Sequence, residues 1–275
     1  MKRCLLSLLI LLLTVAAIAH AGDRPGKVIS ANLCTDQLLL FLADPEQITS
    51  VTHLALEPNS SYMAEAARRY PINHSQIEEL LAQQPDLIVT GIFTKRSMVE
   101  LMRKLGYRVE VFSSATNIDE IRENIRRMAG LLDQSQRGEA LIARMDKRIE
   151  QATANLPDKP IGALFYQPRG YTSGKNTLHD EALTLTGWRN ISAEHGIVGY
   201  NAIDLETVLL VKPQQFFTSA YAPGTTSLGQ KQLKHPALKK VTAGRPMIDI
   251  DFRYWICGGP MIADAIERLA EIRRQ

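Results

Sequence analysis

The chain has 275 residues, of which 45% are hydrophobic and 22% are charged, a composition typical of a folded globular protein. When the first 21 residues are set aside, two of the 32 basic residues are lost. The remaining 30 face 29 acidic residues, and the net charge is +1. This near balance excludes a strongly basic surface, so no nucleic-acid partner is expected.

The first 21 residues have the three parts of a secretory signal peptide: a positive start (MKR), an apolar core (Leu5–Ile18) and small residues (AHA) before Gly22. A membrane anchor is the alternative, but the apolar core is shorter than the roughly 20 residues that span a bilayer. Cys4 precedes the core, so it is not a lipid-attachment cysteine. We therefore expect cleavage after Ala21 and a soluble periplasmic protein.

Residues 22–132 alternate between strand and helix patterns, which predicts a lobe with a largely parallel sheet. Thr35 or Asp36 is expected as the N-cap of the first helix. Pro85 ends the third helix, because the residue before a proline is pushed out of helical geometry. The strands are KVIS, ITSVT, DLIVTG and YRVEVF, and the helices are DQLLLFLA, MAEAARRY, IEELLAQ and RSMVELMRKLG.

Residues 117–156 contain no proline and hold two stretches with apolar residues at helical spacing, DEIRENIRRMAGLL and RGEALIARMDKRIEQATANL. The second stretch is long enough for a helix of roughly 30 Å. A flexible linker would instead be short and rich in glycine or serine. We therefore predict a rigid linking helix over residues 133–158.

Residues 159–275 repeat the plan of the first half. Strands are predicted at IGALFY, QQFFTS and RPMIDID, and helices at HDEALTLTG, AIDLETVLLV, KQLKHPALKKV and MIADAIERLAEIRRQ. YTSGKNTL is typical of a polar turn, and Trp188–Asn190 with the residues after it is predicted to be loop. The predicted fold class is α/β: two similar lobes with mostly parallel central sheets, joined by one long rigid helix, with a ligand cleft between them.

Ligands of parallel α/β sheets bind outside the carboxyl ends of the strands, and here those positions carry aromatic and small polar residues. Aromatic rings offer broad contact area, although each ring also suits core packing. Arginine seldom packs in a core. The pattern predicts a cleft for a large, flat, partly apolar ligand, lined by Asn32, Cys34, Tyr62, Tyr171, Thr172, Tyr200, Tyr221, Arg253, Trp255 and Cys257.

Cys34 and Cys257 are the cysteines that remain after cleavage. In an oxidising compartment they form a disulfide or stay as two thiols, and their spacing does not decide between these states. Contact with the ligand and binding of a soft metal are further alternatives. A bond between the lobes would limit ligand access, which counts against it.

Two segments repeat each other: IEELLAQQPDLIVTG at residues 77–91 and LETVLLVKPQQFFTS at residues 205–219. Each has a glutamate as its second residue and a proline seven residues later. The pair Glu78 and Glu206 and the pair Pro85 and Pro213 are both offset by 128 residues.

With LMRKLGYRVEVF, the helical linker and YTSGK, these motifs resemble the periplasmic binding proteins of the cobalamin, ferric-siderophore and haem ABC importers. The resemblance covers essentially the whole mature chain. It implies a monomer without a cofactor that captures an iron or cobalt chelate and delivers it to an inner-membrane ABC permease with its ATPase. In this family a glutamate on each lobe docks to arginines of the permease, and Glu78 and Glu206 match those positions.

The resemblance also marks ligand positions. Tyr171, Tyr200, Arg253 and Cys257 fall at or near the ligand contacts of the cobalamin-binding member, and Arg253 is expected to orient the ligand. This chain lacks that member's second-lobe disulfide cysteines. It also has Ile72 where that member has an aromatic residue, so the choice among chelates stays open.

Haem and ferric siderophores are the rival ligands. Haem-binding relatives carry an iron-ligating tyrosine where Tyr62 stands, and its phenolate would hold ferric iron if the ligand is haem. Ferric siderophores need only aromatic walls and basic groups. His53 and His195 are candidate metal ligands, but neither has a partner at ligand spacing.

An enzyme is the alternative from another class. Cys34 at a helix start, with a base such as His53, suits a thiol enzyme, and a metal-dependent enzyme on the same scaffold is the related option. The sequence has no P-loop, no G-x-S-x-G and no H-E-x-x-H motif. We therefore expect binding without catalysis, and the sequence does not separate transport from sensing.

Overall fold

The computed structural model of the protein describes residues 24–221, 227–241 and 244–275. The predicted signal peptide, residues 1–21, lies outside these ranges. Within them, no helix combines the length and the apolar character needed to cross a membrane.

A five-stranded parallel sheet forms the centre of the first lobe, with the strand order β3-β2-β1-β4-β5. The predicted alternation of strands and helices is confirmed here. The strands are β1 (Val28–Ser30), β2 (Ile48–Thr52), β3 (Ile72–Asn73), β4 (Leu87–Gly91) and β5 (Val109–Phe112), and the helices are α1 (Leu33–Leu42), α2 (Ala64–Ala67), α3 (Ile77–Ala82) and α4 (Arg96–Lys104).

Side chains of the central strands alternate between two helical layers. Val28 packs with Leu39 of α1 on one face, whereas Ile29 packs with Leu80 of α3 and Met102 of α4 on the other. Successive side chains of a strand point to opposite faces, so a strand covered on both faces is apolar throughout. This explains the unbroken apolar runs that mark these strands in the sequence.

The first helix begins earlier than predicted. Asn32 is the N-cap of α1, and its side-chain oxygen accepts a hydrogen bond from the Cys34 backbone N–H at 2.9 Å. The expectation of Thr35 or Asp36 as N-cap is wrong, because both lie inside the helix and are buried. Asn32 has the extended backbone that lets a short polar side chain reach the free N–H groups of the first turn.

Two helices lead from the first lobe to the second: α5 (Ile118–Leu131) and α6 (Ser135–Thr153). They approach closely at Gly138, where a Cβ atom would lie 2.6 Å from the Cβ of Ala129. Helix α6 lies within residues 133–158, where the sequence predicts a rigid linking helix, and its buried residues recur at helical spacing. They are Gly138, Leu141, Ile142, Met145, Ile149 and Ala152.

A four-stranded parallel sheet forms the centre of the second lobe, in the order β11-β10-β6-β8, and a two-stranded antiparallel sheet pairs β7 with β9. The strands are β6 (Ile161–Phe165), β7 (Tyr171–Ser173), β8 (Trp188–Asn190), β9 (Tyr200–Ala202), β10 (Gln215–Thr218) and β11 (Ile248–Asp249). The helices are α7 (Leu178–Leu185), α8 (Ile191–Glu194), α9 (Leu205–Val211), α10 (Leu228–Gln232), α11 (Pro236–Val241) and α12 (Ile262–Arg274).

The two main sheets share one topology. The neighbours β5-β4-β1-β2 of the first sheet correspond in order to β11-β10-β6-β8 of the second. The two repeated sequence segments correspond as well: α3 leads into β4 in the first lobe, and α9 leads into β10 in the second. The strand β3 has no counterpart in the second main sheet, as far as the described residues show.

The prediction of loop at Trp188–Asn190 is wrong, because these residues form the edge strand β8 and Ile191–Glu194 forms α8. Trp188 is buried, and its ring N–H donates to the carbonyl oxygen of Leu269 at 3.2 Å. The strand has only three residues, too few for an alternating pattern to show in the sequence. YTSGKNTL is likewise only partly a turn, since its first three residues form β7.

Apolar packing runs without a break from one lobe to the other. One cluster of buried side chains includes Val28 of the first sheet, Met145 of α6 and Phe165 of the second sheet. The closing helix α12 packs beside α6, and Arg148 of α6 donates to Glu267 at 2.8 Å and to Asp264 at 3.2 Å. The lobes have separate sheets but share a core, which restricts hinge motion between them.

A cluster of buried polar side chains lies near the carboxyl ends of the first sheet. Asp36 accepts hydrogen bonds from the backbone N–H of Thr52 at 3.1 Å and from the Thr52 hydroxyl. Asn73 donates to the Ser30 carbonyl oxygen at 2.9 Å and to the Ser50 hydroxyl at 3.0 Å. Burial raises the pKa of Asp36 to about 7, because the charged carboxylate loses its hydration, and the hydrogen bonds offset this only in part.

We predict that Asp36→Asn reduces the pH dependence of stability. Asp36 has a pKa near 3.9 in an unfolded chain and about 7 in the fold. The folded protein therefore binds the extra proton between these values. Its free energy of unfolding falls as the pH rises through this window, by up to about 1.4 kcal/mol per pH unit. An asparagine side chain does not titrate, so denaturant unfolding of the variant between about pH 4 and 7 should show a shallower slope. Equal slopes in the two proteins would contradict the assignment.

Candidate functional site

A cavity of about 660 Å³ lies between the lobes. The first lobe contributes Phe93, which follows β4, and residues 114–116, which follow β5. The second lobe contributes residues that follow β6, β10 and β11, together with β7 and β9. The cavity therefore lies at the carboxyl ends of both main sheets, as the topology of parallel sheets predicts. Its second-lobe lining includes Gln167, Pro168, Tyr171, Thr172, Ser173, His179, Tyr200, Thr218, Ser219, Tyr221, Phe252, Trp255 and Cys257.

Exposure distinguishes the mouth of the cavity from its inner end. The rings of Phe93, Tyr171, Tyr200 and Tyr221 are between 53% and 82% exposed, although all four line the cavity. Trp255 is 5% exposed. Four exposed aromatic side chains around one cavity form an apolar patch, and an exposed apolar patch indicates a binding surface. Phe93 belongs to the first lobe and the three tyrosines to the second, so both lobes contribute exposed rings to the cavity.

A cluster of four aromatic residues around His179 lies at the inner end of the cavity. His179, near the start of α7, stacks on Trp255 with ring centres 4.2 Å apart, and its ring meets that of Phe165 edge-on at 4.5 Å. The Tyr200 hydroxyl lies 3.4 Å from His179 Nδ1. Burial lowers the pKa of His179 to about 3. The imidazole is therefore neutral at neutral pH, and it connects the inner wall to a tyrosine at the mouth.

The cavity has a neutral lining in the part of the chain that the structure describes. Among the described residues that line it, none has a charged side chain at neutral pH. Three of its buried polar atoms have no hydrogen-bond partner in the described part of the chain: Thr172 Oγ1, Ser219 Oγ and Trp255 Nε1. An unpaired buried polar group costs about 1–3 kcal/mol. These atoms are covered by protein in the free state, so a ligand that hydrogen-bonds them recovers that cost only after a small local movement of the side chains around them. With that movement they are candidate binding groups.

A disulfide between Cys34 and Cys257 joins the two lobes, with Cα atoms 4.9 Å apart. This resolves the open choice between a bond and two thiols. The expectation that ligand access disfavours the bond is wrong, because a cavity of about 660 Å³ remains between the lobes with the bond in place. Gly258 has φ +54°, and a Cβ atom there would lie 3.0 Å from that of Ala115. A glycine is therefore needed where the lobes meet.

Six of the predicted ligand residues line the cavity: Tyr171, Thr172, Tyr200, Tyr221, Trp255 and Cys257. The remaining four, Asn32, Cys34, Tyr62 and Arg253, are not among its lining residues. Asn32 is the N-cap of α1, and Cys34 is bonded to Cys257. Arg253 donates from Nε to both carboxylate oxygens of Asp251 at 3.0 Å, so its charge is already paired within its own loop.

Tyr62 lies outside the cavity as well. Its hydroxyl is 3.3 Å from Asp264 Oδ2 at the start of α12, and its ring is near those of Phe41 and Tyr254. Burial raises the pKa of the Tyr62 phenol, and the Asp264 carboxylate raises it further. The phenol is therefore neutral in the free protein, which does not favour the phenolate that a ferric ion needs.

The two predicted histidine ligands also stand apart from the cavity lining. His53 stacks on His74 with ring centres 5.1 Å apart, and His195 caps α8. No group of three or more metal-ligating side chains occurs in the described ranges. Cys34 is bonded to Cys257, so it does not offer the free thiolate that a thiol enzyme needs.

Sequence reasoning missed Phe93, His179 and residues 114–116. Phe93 and residues 114–116 follow strands of the first sheet, so the rule that placed the second-lobe tyrosines would also have found them. His179 has no comparable signal. Its place in the cavity wall depends on packing against Trp255, which is 76 positions away in the sequence, so no local pattern indicates it.

The repeated glutamates occupy equivalent places. Glu78 is the second residue of α3 and Glu206 is the second residue of α9, and both are exposed. Each helix leads into a parallel strand, so its first turn lies at the carboxyl edge of its sheet. Those are the edges that border the cavity, and both carboxylates are exposed there, that of Glu206 within hydrogen-bond reach of Asp204.

Comparison with known proteins gives one family and several relatives. The family described as periplasmic binding protein matches residues 28–246. A cobalamin-binding protein of Halobacterium salinarum is 23% identical over 209 residues, which cover 73% of this chain. The chain spans only 55% of the length of that relative. A vitamin B12-binding protein of Photorhabdus laumondii is 24% identical over 275 residues, which cover 95% of this chain and 93% of the relative.

The solved structures give the same fold. The periplasmic haem-binding protein RhuT of Roseiflexus sp. RS-1, in its apo form, superposes with a TM-score of 0.76 and 23% identity. The match covers 90% of this chain and 97% of that one. At this identity the likeness supports the two-lobed α/β fold and does not identify a ligand.

We predict that Tyr62→Phe leaves ligand affinity unchanged, because the hydroxyl contacts Asp264 and not the cavity. Titration with ferric haem and with cyanocobalamin should give the same affinities and spectra as the unmodified protein. The lost hydrogen bond should lower the free energy of unfolding by about 0.5–1.5 kcal/mol. Tyr200→Phe is the matched control, since that tyrosine lines the cavity. A haem spectrum altered by Tyr62→Phe alone would restore Tyr62 as an iron ligand.

Proposed function

This chain belongs to the periplasmic binding protein family, and from that premise we propose that it captures a corrinoid of the cobalamin type and delivers it to an inner-membrane ABC permease. The ligand would occupy the cavity between the lobes and contact the rings of Phe93, Tyr171, Tyr200 and Tyr221. Binding involves no covalent step, because recognition rests on ring contact and on hydrogen bonds.

The observation that carries the proposal is the uncharged cavity. Haem carries propionate carboxylates, and a ferric siderophore is commonly an anionic chelate, so each calls for basic groups in its site. The periphery of a corrin ring carries neutral amides. An amide oxygen accepts from the Trp255 N–H, and amides both donate to and accept from the hydroxyls of Thr172 and Ser219. The only arginine predicted to orient the ligand, Arg253, is paired with Asp251.

The curated relatives support the same choice. The names of the Halobacterium salinarum and Photorhabdus laumondii proteins specify cobalamin or vitamin B12 as what they bind. The Photorhabdus laumondii relative matches nearly its full length, so its similarity includes both lobes. Haem is the second candidate, because RhuT is a haem-binding protein of the same fold.

The remaining expectations belong to this proposal. The protein acts in the periplasm after cleavage behind Ala21, as a monomer without catalytic activity or a cofactor of its own. Its family is one of binding proteins, and Cys34, the candidate nucleophile, is bonded to Cys257. The iron or cobalt enters as part of the bound chelate, held by its own macrocycle and not by side chains of this chain.

Titration with cyanocobalamin and with haem distinguishes the two candidate ligands, and Trp255→Phe tests whether the indole N–H binds the ligand. We expect cyanocobalamin to bind and haem to bind more weakly. Trp255→Phe keeps the stack on His179 but removes the N–H. Corrinoid affinity should therefore fall by about tenfold, which corresponds to one hydrogen bond. Trp188→Phe is the matched control. It removes the N–H bonded to Leu269 and should lower stability but not affinity.

Tight haem binding without measurable corrinoid binding would overturn the choice of ligand. Unchanged corrinoid affinity in Trp255→Phe would remove the indole N–H from the site but leave the ligand class in place. Quenching of tryptophan fluorescence and the visible absorption of the chelates give independent readings of both titrations.

We further propose that Glu78 and Glu206 dock the protein to its permease. A permease with two equivalent halves presents two equivalent basic sites, and a carboxylate at the same position on each lobe matches such a surface. Glu78 and Glu206 are exposed at the carboxyl edges of the sheets. The shared core keeps them at a fixed separation, which lets both be engaged together.

Charge reversal tests the docking role. Glu78→Lys combined with Glu206→Lys should abolish delivery of the chelate by the reconstituted permease but leave its affinity for the free protein unchanged. The control combines Glu46→Lys with Glu271→Lys, which are also exposed glutamates. Glu46 precedes β2 and so lies at the opposite edge of the first sheet, and the control should transport normally. Equal transport by both double variants would disprove docking through these residues.

A further inference from the structure

The disulfide stands out among the contacts between the lobes. The linking helices and α12 join the lobes through their shared core, and the backbone N–H of Ile118 donates to Glu181 at 2.7 Å. Cys34–Cys257 is the covalent connection at the cavity itself. It ties the first turn of α1 to the loop that carries Trp255, the residue at the inner end of the site.

The two sulfurs differ in their surroundings. Cys257 lines the cavity, whereas Cys34 does not, and both residues are half-buried. Cys34 is the second residue of the ten-residue helix α1, where the helix dipole and free N–H groups stabilise a thiolate. A nucleophile that enters through the cavity meets Cys257, and Cys34 is the better leaving group.

We propose that occupancy of the cavity and integrity of this disulfide are linked, so that bound corrinoid protects the bond from reduction and reduction of the bond weakens corrinoid binding. This inference deepens the proposed function and rests on it for the identity of the ligand. It has two physical causes. A ligand in the cavity covers the sulfur of Cys257, and the bond holds the Trp255 loop against the first lobe.

The reaction is thiol–disulfide exchange with a dithiol reductant. A thiolate of the dithiol bonds to Cys257, the Cys34–Cys257 bond breaks, and Cys34 leaves as a thiolate that takes up a proton. The second thiol of the reductant then displaces Cys257, which is released as a thiol. The protein gains two electrons and two protons, and the dithiol becomes a disulfide.

Linkage makes the effect reciprocal. If the oxidised protein binds the ligand more tightly than the reduced protein, the ligand favours the oxidised state by the same factor. The reduced protein should remain folded, because the core that joins the lobes does not include either cysteine. Reduction should therefore loosen the loop at residues 252–258 and leave the sheets intact.

The test measures both sides of the linkage. The free protein and the protein saturated with cyanocobalamin are each treated with dithiothreitol. Alkylation followed by mass spectrometry then gives the number of free thiols at each time point. We expect slower reduction of the saturated protein and a transient glutathione adduct on Cys257 when glutathione replaces the dithiol. Cyanocobalamin affinity of the reduced protein should be about 5- to 150-fold weaker, the usual range of coupling between sites.

The control is the double variant Cys34→Ser with Cys257→Ser. Its affinity should equal that of the reduced protein and should not respond to dithiothreitol. Circular dichroism and recovery of affinity after reoxidation show that the fold survives. Equal affinities of the oxidised and reduced protein, or a reduction rate that ligand does not change, would overturn the linkage but leave corrinoid capture standing.

Failure of the proposed ligand gives a different result. If the oxidised protein does not bind cyanocobalamin, the ligand proposal fails, and hydrogen exchange of the free protein decides the role of the bond. Faster exchange at residues 252–258 after reduction supports the bond as the element that holds the cavity wall. Unchanged exchange there would refute it.

Discussion

The shared apolar core is the constraint on which the rest of the structure depends. Helices α5, α6 and α12 pack between the two sheets, so that Val28, Met145 and Phe165 belong to one continuous cluster. Separating the lobes would expose this cluster to water, at a free-energy cost of about 25 cal/mol for each Å² of apolar surface. The lobes therefore keep a nearly constant separation, and the cavity between them exists before the ligand arrives.

A preformed cavity explains the unpaired groups that it contains. Thr172, Ser219 and the Trp255 indole are buried without partners in the described chain, an arrangement that costs stability in the free protein. A rigid frame tolerates this cost, because the frame cannot collapse to satisfy these groups. These atoms are covered in the free protein, so a ligand reaches them only after a small local movement, while the frame around the cavity stays in place.

The distribution of charge distinguishes the cavity from the surface that we propose for docking. The cavity lining is neutral, whereas Glu78 and Glu206 are charged and exposed at the sheet edges that border it. Arg253 is predicted as a ligand group but pairs with Asp251 within two residues. Its pairing leaves recognition in the cavity to ring contact and to neutral hydrogen bonds.

The sequence by itself determined the two-lobed α/β plan, a long helix between the lobes, glutamates at equivalent helix positions and the second-lobe tyrosines that line the cavity. These features follow from local periods, from proline positions and from the rule for strand ends, all of which act over a few residues. Only the tertiary structure decided that Cys34 bonds Cys257, that Tyr62 turns to Asp264, that Arg253 is neutralised, and that His179 stacks on Trp255. Each of these depends on which of several chemically suitable partners lies within reach, and that distance is set by the packing of whole elements, not by spacing along the chain.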